Sequence, residues 1–461
     1  MTRGHRARNR RGVLLLAATA AVWLATAAPA SAHGLGGRSD LPLPVWMFAY
    51  GAAGAIIVSF AALAAFWPEA RLQGGTAGVV LVPDSRRGVT SGLATAARAI
   101  GVVLFLVVLG AALFGPAEAA DNLAPATVYI AFWVGLMFVS ALVGDLWRAI
   151  SPFPALAGVV DRLRGRPAGE PYLLGHWPAV GLLFGFVWLE LAYPDRADPR
   201  QLAMAIILYT AVVLAGAARW GDPFLRQGEA FAAFFGLLAA MAPVYADDEG
   251  RLRLRPPLTG LATVEVLPGT VAMIIVALGS TTFDGVSRTR VWVDQVSGLG
   301  RWPLMIALTL GLLVTIALVG AAYVVAMKVA AARTGKELHQ LTRLFAHTLV
   351  PIVFAYGVAH YFSYLLFEGQ AVISLASDPF GQGWDLFGTA ERAIDYRVVS
   401  ARVVSWVQVA AIVAGHIAGV VLAHDRALAS FPAKDATRSQ YPLLAAMVLF
   451  TVGGLTLLLS T

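Results

Sequence analysis

Eight histidines and a handful of carboxylates carry most of the chemistry available to this sequence, which has no cysteine at all. Two of the histidines stand in one apolar stretch, "HTLVPIVFAYGVAHYFSYLLFEGQ", as His347 and His360, and a third, His416, stands in the next, "ARVVSWVQVAAIVAGHIAGVVLAHDRA". At 100° per residue Tyr356, His360 and Tyr364 share one helix face, and Ser405, Gln408 and His416 line another. Pro351 lacks an N–H between the two histidines of its helix and is expected to kink it. Imidazoles at this depth suit a metal ion or, with His347 and His416 as axial ligands, a buried haem. They serve equally well as hydrogen-bonding groups that hold helices together. Neither the H-E-x-x-H zinc pattern nor the C-x-x-C-H haem attachment pattern is present. No nucleophile elbow supports a serine hydrolase.

A second group is expected near one face of the molecule. Glu190 of "VWLELAYP" and Asp284 of "STTFDG" stand in apolar surroundings, where a carboxylate needs a cation or a proton. With His33, Asp40, His360, Asp378, Asp385 and Asp395 they form a set whose convergence makes Glu190 and Asp284 the candidate catalytic groups, with His33 and His360 the candidate metal ligands. The plain alternative pairs these acids with Arg38, Arg397 or Arg402.

His33 owes its interest to its position. Residues 3–11, "RGHRARNRR", are basic, an apolar run follows, and "APASAH" offers a cleavage site between Ala32 and His33, the pattern of a secretory signal peptide over 1–32. Cleavage leaves His33 as the first residue, with an amine and an imidazole able to chelate one ion together. Only about ten residues separate it from the first span, a reach of roughly 30–35 Å. His33 can then meet His360 but neither His347 nor His416.

The elements that must position these groups are membrane helices. The chain is 461 residues long, 58% hydrophobic and 13% charged, where a soluble domain carries about a quarter charged residues. Apolar runs fall at about 43–66, 99–115, 126–147, 174–193, 201–218, 229–245, 302–327, 340–366, 398–423 and 440–460. The result is an all-α polytopic bundle of ten full spans over 33–461, with its mature N-terminus outside the cell membrane. The segment 266–292 has an apolar stretch of only about a dozen residues, and an eleventh span there would put Lys328 and Arg333 outside, so it reads as a re-entrant or short buried helix. Arginines cluster in the inner loops, so orientation accounts for the net charge of +7 without nucleic acid. The loop "YADDEGRLRLRPPLTG" breaks that trend, since this arrangement puts it outside with three arginines. The partners implied are a lipid bilayer and a small-molecule substrate.

The stretches "HGLGGRSDLPLPVW", "AHTLVPIVFAYGVAHY", "SDPFGQGWDLFGT" and "GHIAGVVLAHDRA" resemble a bacterial family of integral membrane proteins known as fenitrothion hydrolases. The resemblance implies hydrolysis of a phosphotriester or similar ester but assigns no catalytic residue. With the site above, it suggests a water activated by a divalent ion, copper or zinc, near the outer face. An N-terminal histidine also resembles the chelating "histidine brace" of copper proteins. Two other readings remain open: transport, from the broken helix at 266–292, Pro351 and the midplane polar residues, and haem-based electron transfer.

Overall fold

The protein's structure, a computed structural model, describes residues 44–460 apart from 74–77, 82–86, 166, 168, 248 and 249. His33 and the signal-peptide segment lie outside the described residues.

The described chain is almost entirely helical. In order it forms α1 (Val45–Phe66), α2 (Arg87–Phe114), α3 (Leu123–Leu142, wound as a π-helix over Thr127–Gly135), α4 (Leu146–Ile150) and α5 (Phe153–Arg164). Then come α6 (Trp177–Leu191), α7 (Pro199–Trp220), α8 (Asp222–Gln227), α9 (Ala230–Ala239), α10 (Thr270–Ser287), α11 (Arg290–Val296) and α12 (Arg301–Thr334). The last are α13 (Leu338–Leu344), α14 (Val350–Phe367), α15 (Ala371–Ser377), α16 (Ala401–Ser430) and α17 (Ala433–Ser460). Three short strands, β1 (Val79–Val80), β2 (Val244–Ala246) and β3 (Leu252–Leu254), make an antiparallel sheet in the order β1-β3-β2.

Contacts at the helix ends fix how the chain threads. The starts of α6 and α10 lie together, with His176 N–H donating to the Pro268 carbonyl at 2.7 Å, so these two helices run parallel. Helix α12 returns beside α10, Gly311 lying against Phe283 and Gly320 against Ile275. Helix α14 again follows α10: Arg343, just before it, donates to the Val266 carbonyl at 2.5 Å, and His360 near its far end reaches Asp284. Helix α16 runs back down α14, with Gly415 against Pro351 and Gly419 against Thr348. Helix α1 runs parallel to α16, Phe48 packing on Trp406 and Phe60 on His424. The bundle therefore has two ends: one carries Asp284 and His360, the other Arg71, Arg343 and Arg426.

Nine helices among the described residues are long and apolar enough to cross a membrane. Helix α6, with 15 residues, also runs from one end to the other and makes a tenth pass. The protein is thus a multi-pass helical membrane bundle, and both termini of its described part lie at the Asp284 end.

Two assignments from the sequence are exchanged. Thr270–Ser287 is a full span, and the 229–245 run is not: its helix α9 has only ten residues. It starts deep in the bundle at Glu229, level with Tyr209 in the middle of α7, and returns to the arginine-rich end, where β2 pairs with β3. The physical reason is burial. Phe231, Phe234 and Phe235 of α9 pack against Phe132, Trp133 and Phe186, so this run is apolar because protein surrounds it. Helix α10 sits at the bundle centre, 61% of its apolar window buried, where polar side chains find partners. Its Ser280, Thr281, Thr282 and Ser287 hydroxyls all donate to carbonyls three or four residues back. The exchange also moves Arg251, Arg253 and Arg255. β1 follows α1 and pairs with β3, Val80 opposite Arg253, so these three arginines join the arginine-rich end and the exception in charge distribution disappears.

Pro351 ends one helix and starts another. The chain leaves α13 at Leu344, passes through a 3-10 turn at Ala346–Leu349, and begins α14 at Val350 with Pro351 in its first turn, where no N–H is required.

Candidate functional site

The strongest cluster of ionisable groups lies near the Asp284 end, where α6, α10 and α14 finish. Helix α10 delivers Asp284 and, one turn on, Arg288; helix α14 delivers His360 and Tyr361. His360 Nε2 lies 2.5 Å from Asp284 Oδ2, and the Tyr361 hydroxyl donates to the same oxygen at 3.3 Å. Arg288 Nε donates to the other oxygen, Oδ1, at 3.1 Å, and its Nη2 reaches Oδ2 at 3.3 Å. The Asp284 and His360 side chains are only 8% and 7% exposed, whereas that of Arg288 is 61% exposed. A buried carboxylate at this depth is held by one buried imidazole, one buried phenol and one guanidinium that faces outward.

Glu190 joins this cluster from α6. It is half-buried, within electrostatic reach of Asp284, Arg288 and Arg196, and makes no hydrogen bond or ion pair among the described residues. Glu190, Asp284 and His360, far apart in sequence, are thus gathered at one end. Asp378, Asp385 and Asp395 are not. Each spends its carboxylate inside the 371–400 connection, Asp378 on the N–H groups of Gln382 and Gly383, Asp385 on Ala390, and Asp395 on Arg397.

The metal expectation can be tested against the donors present. Tetrahedral zinc sites take three or four protein ligands. Among the described residues no group of three or more His, Asp or Glu is arranged so that it could hold a metal ion. The Asp284–His360 pair offers two donors, and the Arg288 cation already lies against one of them. The described residues therefore do not compose a metal site by themselves. The expected partner of His360, His33, lies outside the described residues.

The two histidines expected to hold a haem are both buried. His416 is fully buried, with Nδ1 2.8 Å from the Ile412 carbonyl oxygen, and His347 lies in the turn before α14. Next to them the α14–α16 seam is tight: a Cβ on Gly415 would lie 2.1 Å from Ala355 Cβ, and one on Gly419 2.8 Å from the Thr348 oxygen. Both histidines keep an Nε2 with no partner among the described residues, as does Gln408 its Oε1.

Two further polar centres were not anticipated from the sequence. Glu229, 1% exposed, accepts from Trp147 Nε1 at 3.0 Å, from the N–H groups of Phe231 and Ala232, and from the Tyr209 hydroxyl. It caps α9 inside the bundle, and the signal for it was a glutamate immediately before an apolar helical run. Asp425, fully buried, accepts from Trp67 Nε1, from the N–H groups of Arg71 and Leu72, and from Gln73 Nε2. Its neighbour His424 is 1% exposed and bridges the Gln440 side chain and the Trp67 carbonyl.

No protein-family model, no curated protein and no solved structure matches this chain.

Proposed function

We propose that the protein is a membrane-embedded hydrolase of a phosphotriester or similar ester, with the Asp284–His360 pair as its acid–base centre. The observation that carries this reading is the 2.5 Å contact between a buried carboxylate on one membrane helix and a buried imidazole on another. Such pairs are costly in a membrane and are kept for a task. Asp284 occupies one ring nitrogen of His360 and favours the imidazolium that forms when the other nitrogen takes a proton. A water so deprotonated attacks phosphorus or carbonyl carbon, and the bond to the leaving aryloxide or alkoxide breaks. Arg288, the exposed member, is placed to meet the developing oxyanion. Glu190, as the protonated carboxylic acid, supplies the leaving group's proton, and the cycle closes when His360 releases the proton taken from water and Glu190 takes one back. The likeness to fenitrothion hydrolases supports the substrate class, and the excess of arginine at the opposite end orients the Asp284 end outward in a cell membrane.

The test is turnover of aryl phosphotriesters and carboxylic esters by purified, detergent-solubilised protein, with and without a chelator. Wild type should hydrolyse at least one class in both conditions, and His360→Gln neither. Activity lost on chelation and restored by zinc or copper would instead bring in a metal, with His33 the first residue to replace.

Gradient-driven transport is the second reading, and the re-entrant segment at Glu229 favours it, because polar groups on broken helices inside a bundle are how transporters build binding sites. Solute uptake by sealed proteoliposomes, with no ester turnover in detergent, would select it.

A further inference from the structure

The arginine-rich end contains a cleft that the acid–base centre does not use. It is an open depression of about 380 Å³ between the segment leading into α10, the α13 turn and the last turns of α16, lined by Val266, His339, Gln340, Arg343, His347 and Arg426 among others. Three features of its wall stand together. Arg343 and Arg426 make no ion pair among the described residues; each donates only to a backbone carbonyl, Arg343 to Val266 at 2.5 Å and Arg426 to Ala262 at 2.7 Å. His347 is 3% exposed, and its Nε2 has no partner among the described residues. The buried Nε of Arg426 has none either.

The nearby carboxylates do not balance these groups. Asp425, adjacent to Arg426, commits both oxygens to the 67–73 segment. Glu265 is exposed and pairs with nothing among the described residues. Two guanidiniums line this one depression with no carboxylate paired to either among the described residues, and an anion would balance their charge. Guanidiniums pair bidentately with phosphate oxygens, and basic pockets at the ends of membrane helices are where phosphate headgroups lie.

We propose that this cleft binds a phosphate-type anion through Arg343 and Arg426, supplied either as the headgroup of an anionic lipid or as a free phosphate. Two arms on the full-length protein distinguish the sources. In neutral detergent, inorganic phosphate is titrated by calorimetry. In nanodiscs of equal phosphatidylglycerol and phosphatidylcholine, retained lipid is read by native mass spectrometry. Phosphate binding in the first arm identifies a free anion. Phosphatidylglycerol retained over phosphatidylcholine, without phosphate binding, identifies a headgroup. In either case Arg343→Gln and Arg426→Gln should each weaken binding about tenfold, the loss of one charge-assisted contact. Arg343 is exposed, so its variant is expected to fold and decides the matter if Arg426→Gln does not. Binding of neither probe by wild type, or binding undiminished in Arg343→Gln, overturns the proposal.

Discussion

Replacing Asp284 by Asn tests whether the buried pair works or merely holds the helices. The substitution keeps the side chain's size and one carbonyl acceptor but removes the charge that faces His360 at 2.5 Å, Arg288 at 3.1 Å and Tyr361 at 3.3 Å. Three donors then compete for a neutral amide in a site where Asp284 is 8% exposed. A hydrogen bond to a charged group contributes about 1.5–3 kcal/mol. The exposed Arg288 recovers most of its loss in water, so the stability cost should be about 2–3 kcal/mol, the share of His360 and Tyr361. The cost to turnover should be far larger. Without the carboxylate the imidazole loses both its orientation and the partner that stabilises its protonated form, and general-base catalysis supplies about 10²–10⁴-fold. The assay is ester turnover by detergent-solubilised protein beside denaturant unfolding of the same preparation. Turnover within threefold of wild type, with stability lowered as stated, would refute the reasoning and leave Asp284 a structural pin.

Three other outcomes follow from the fold. Asp425→Ala should destabilise the protein by about 3 kcal/mol, because it removes a buried acceptor shared by the part-buried donors of Trp67, Arg71, Leu72 and Gln73; chemical denaturation reads it, and the 67–73 segment should become open to protease. The chain has no cysteine, so single-cysteine labelling is free of background: Leu252→Cys and Gln340→Cys should be labelled from one side of the membrane and Glu391→Cys from the other, and opposite sides for the first two would return 229–245 to a full span. Burial pushes the His176 imidazole, 2.9 Å from the Thr270 hydroxyl, down from 6.5 to about 4. The unfolded chain therefore binds the extra proton, so stability is complete above pH 6.5 and falls between 6.5 and 4, by on the order of 3 kcal/mol; His176→Gln should flatten that fall in unfolding measured across the range.

The helical membrane character was legible because ten passes need long apolar runs. Which runs cross was less legible, for a reason seen in α9 and α10. Hydropathy reports how apolar a segment is and not whether lipid or protein surrounds it. Phe231, Phe234 and Phe235 scored as lipid-facing although they face other aromatic rings, while Asp284 and the hydroxyls of α10 scored against a span although all are satisfied inside the bundle. In the site, the intramembrane position of Glu190, Asp284 and His360 singled them out. Their meeting depends on α6, α10 and α14 running parallel, a packing fact with no local sequence signal. Arg288, one turn beyond Asp284, was open to the i, i+4 rule. Asp425 was not, because its partners lie more than 350 residues away.

The central claim is that His360, held by Asp284, activates water against an ester. Incubating the purified protein with an aryl phosphotriester in ¹⁸O-labelled water and weighing the acid product tests it most directly. One solvent oxygen should enter the phosphodiester formed by wild type, and His360→Gln of equal thermal stability should give only the background of buffer. Wild-type product without solvent oxygen, or undiminished labelling by His360→Gln, would contradict the account.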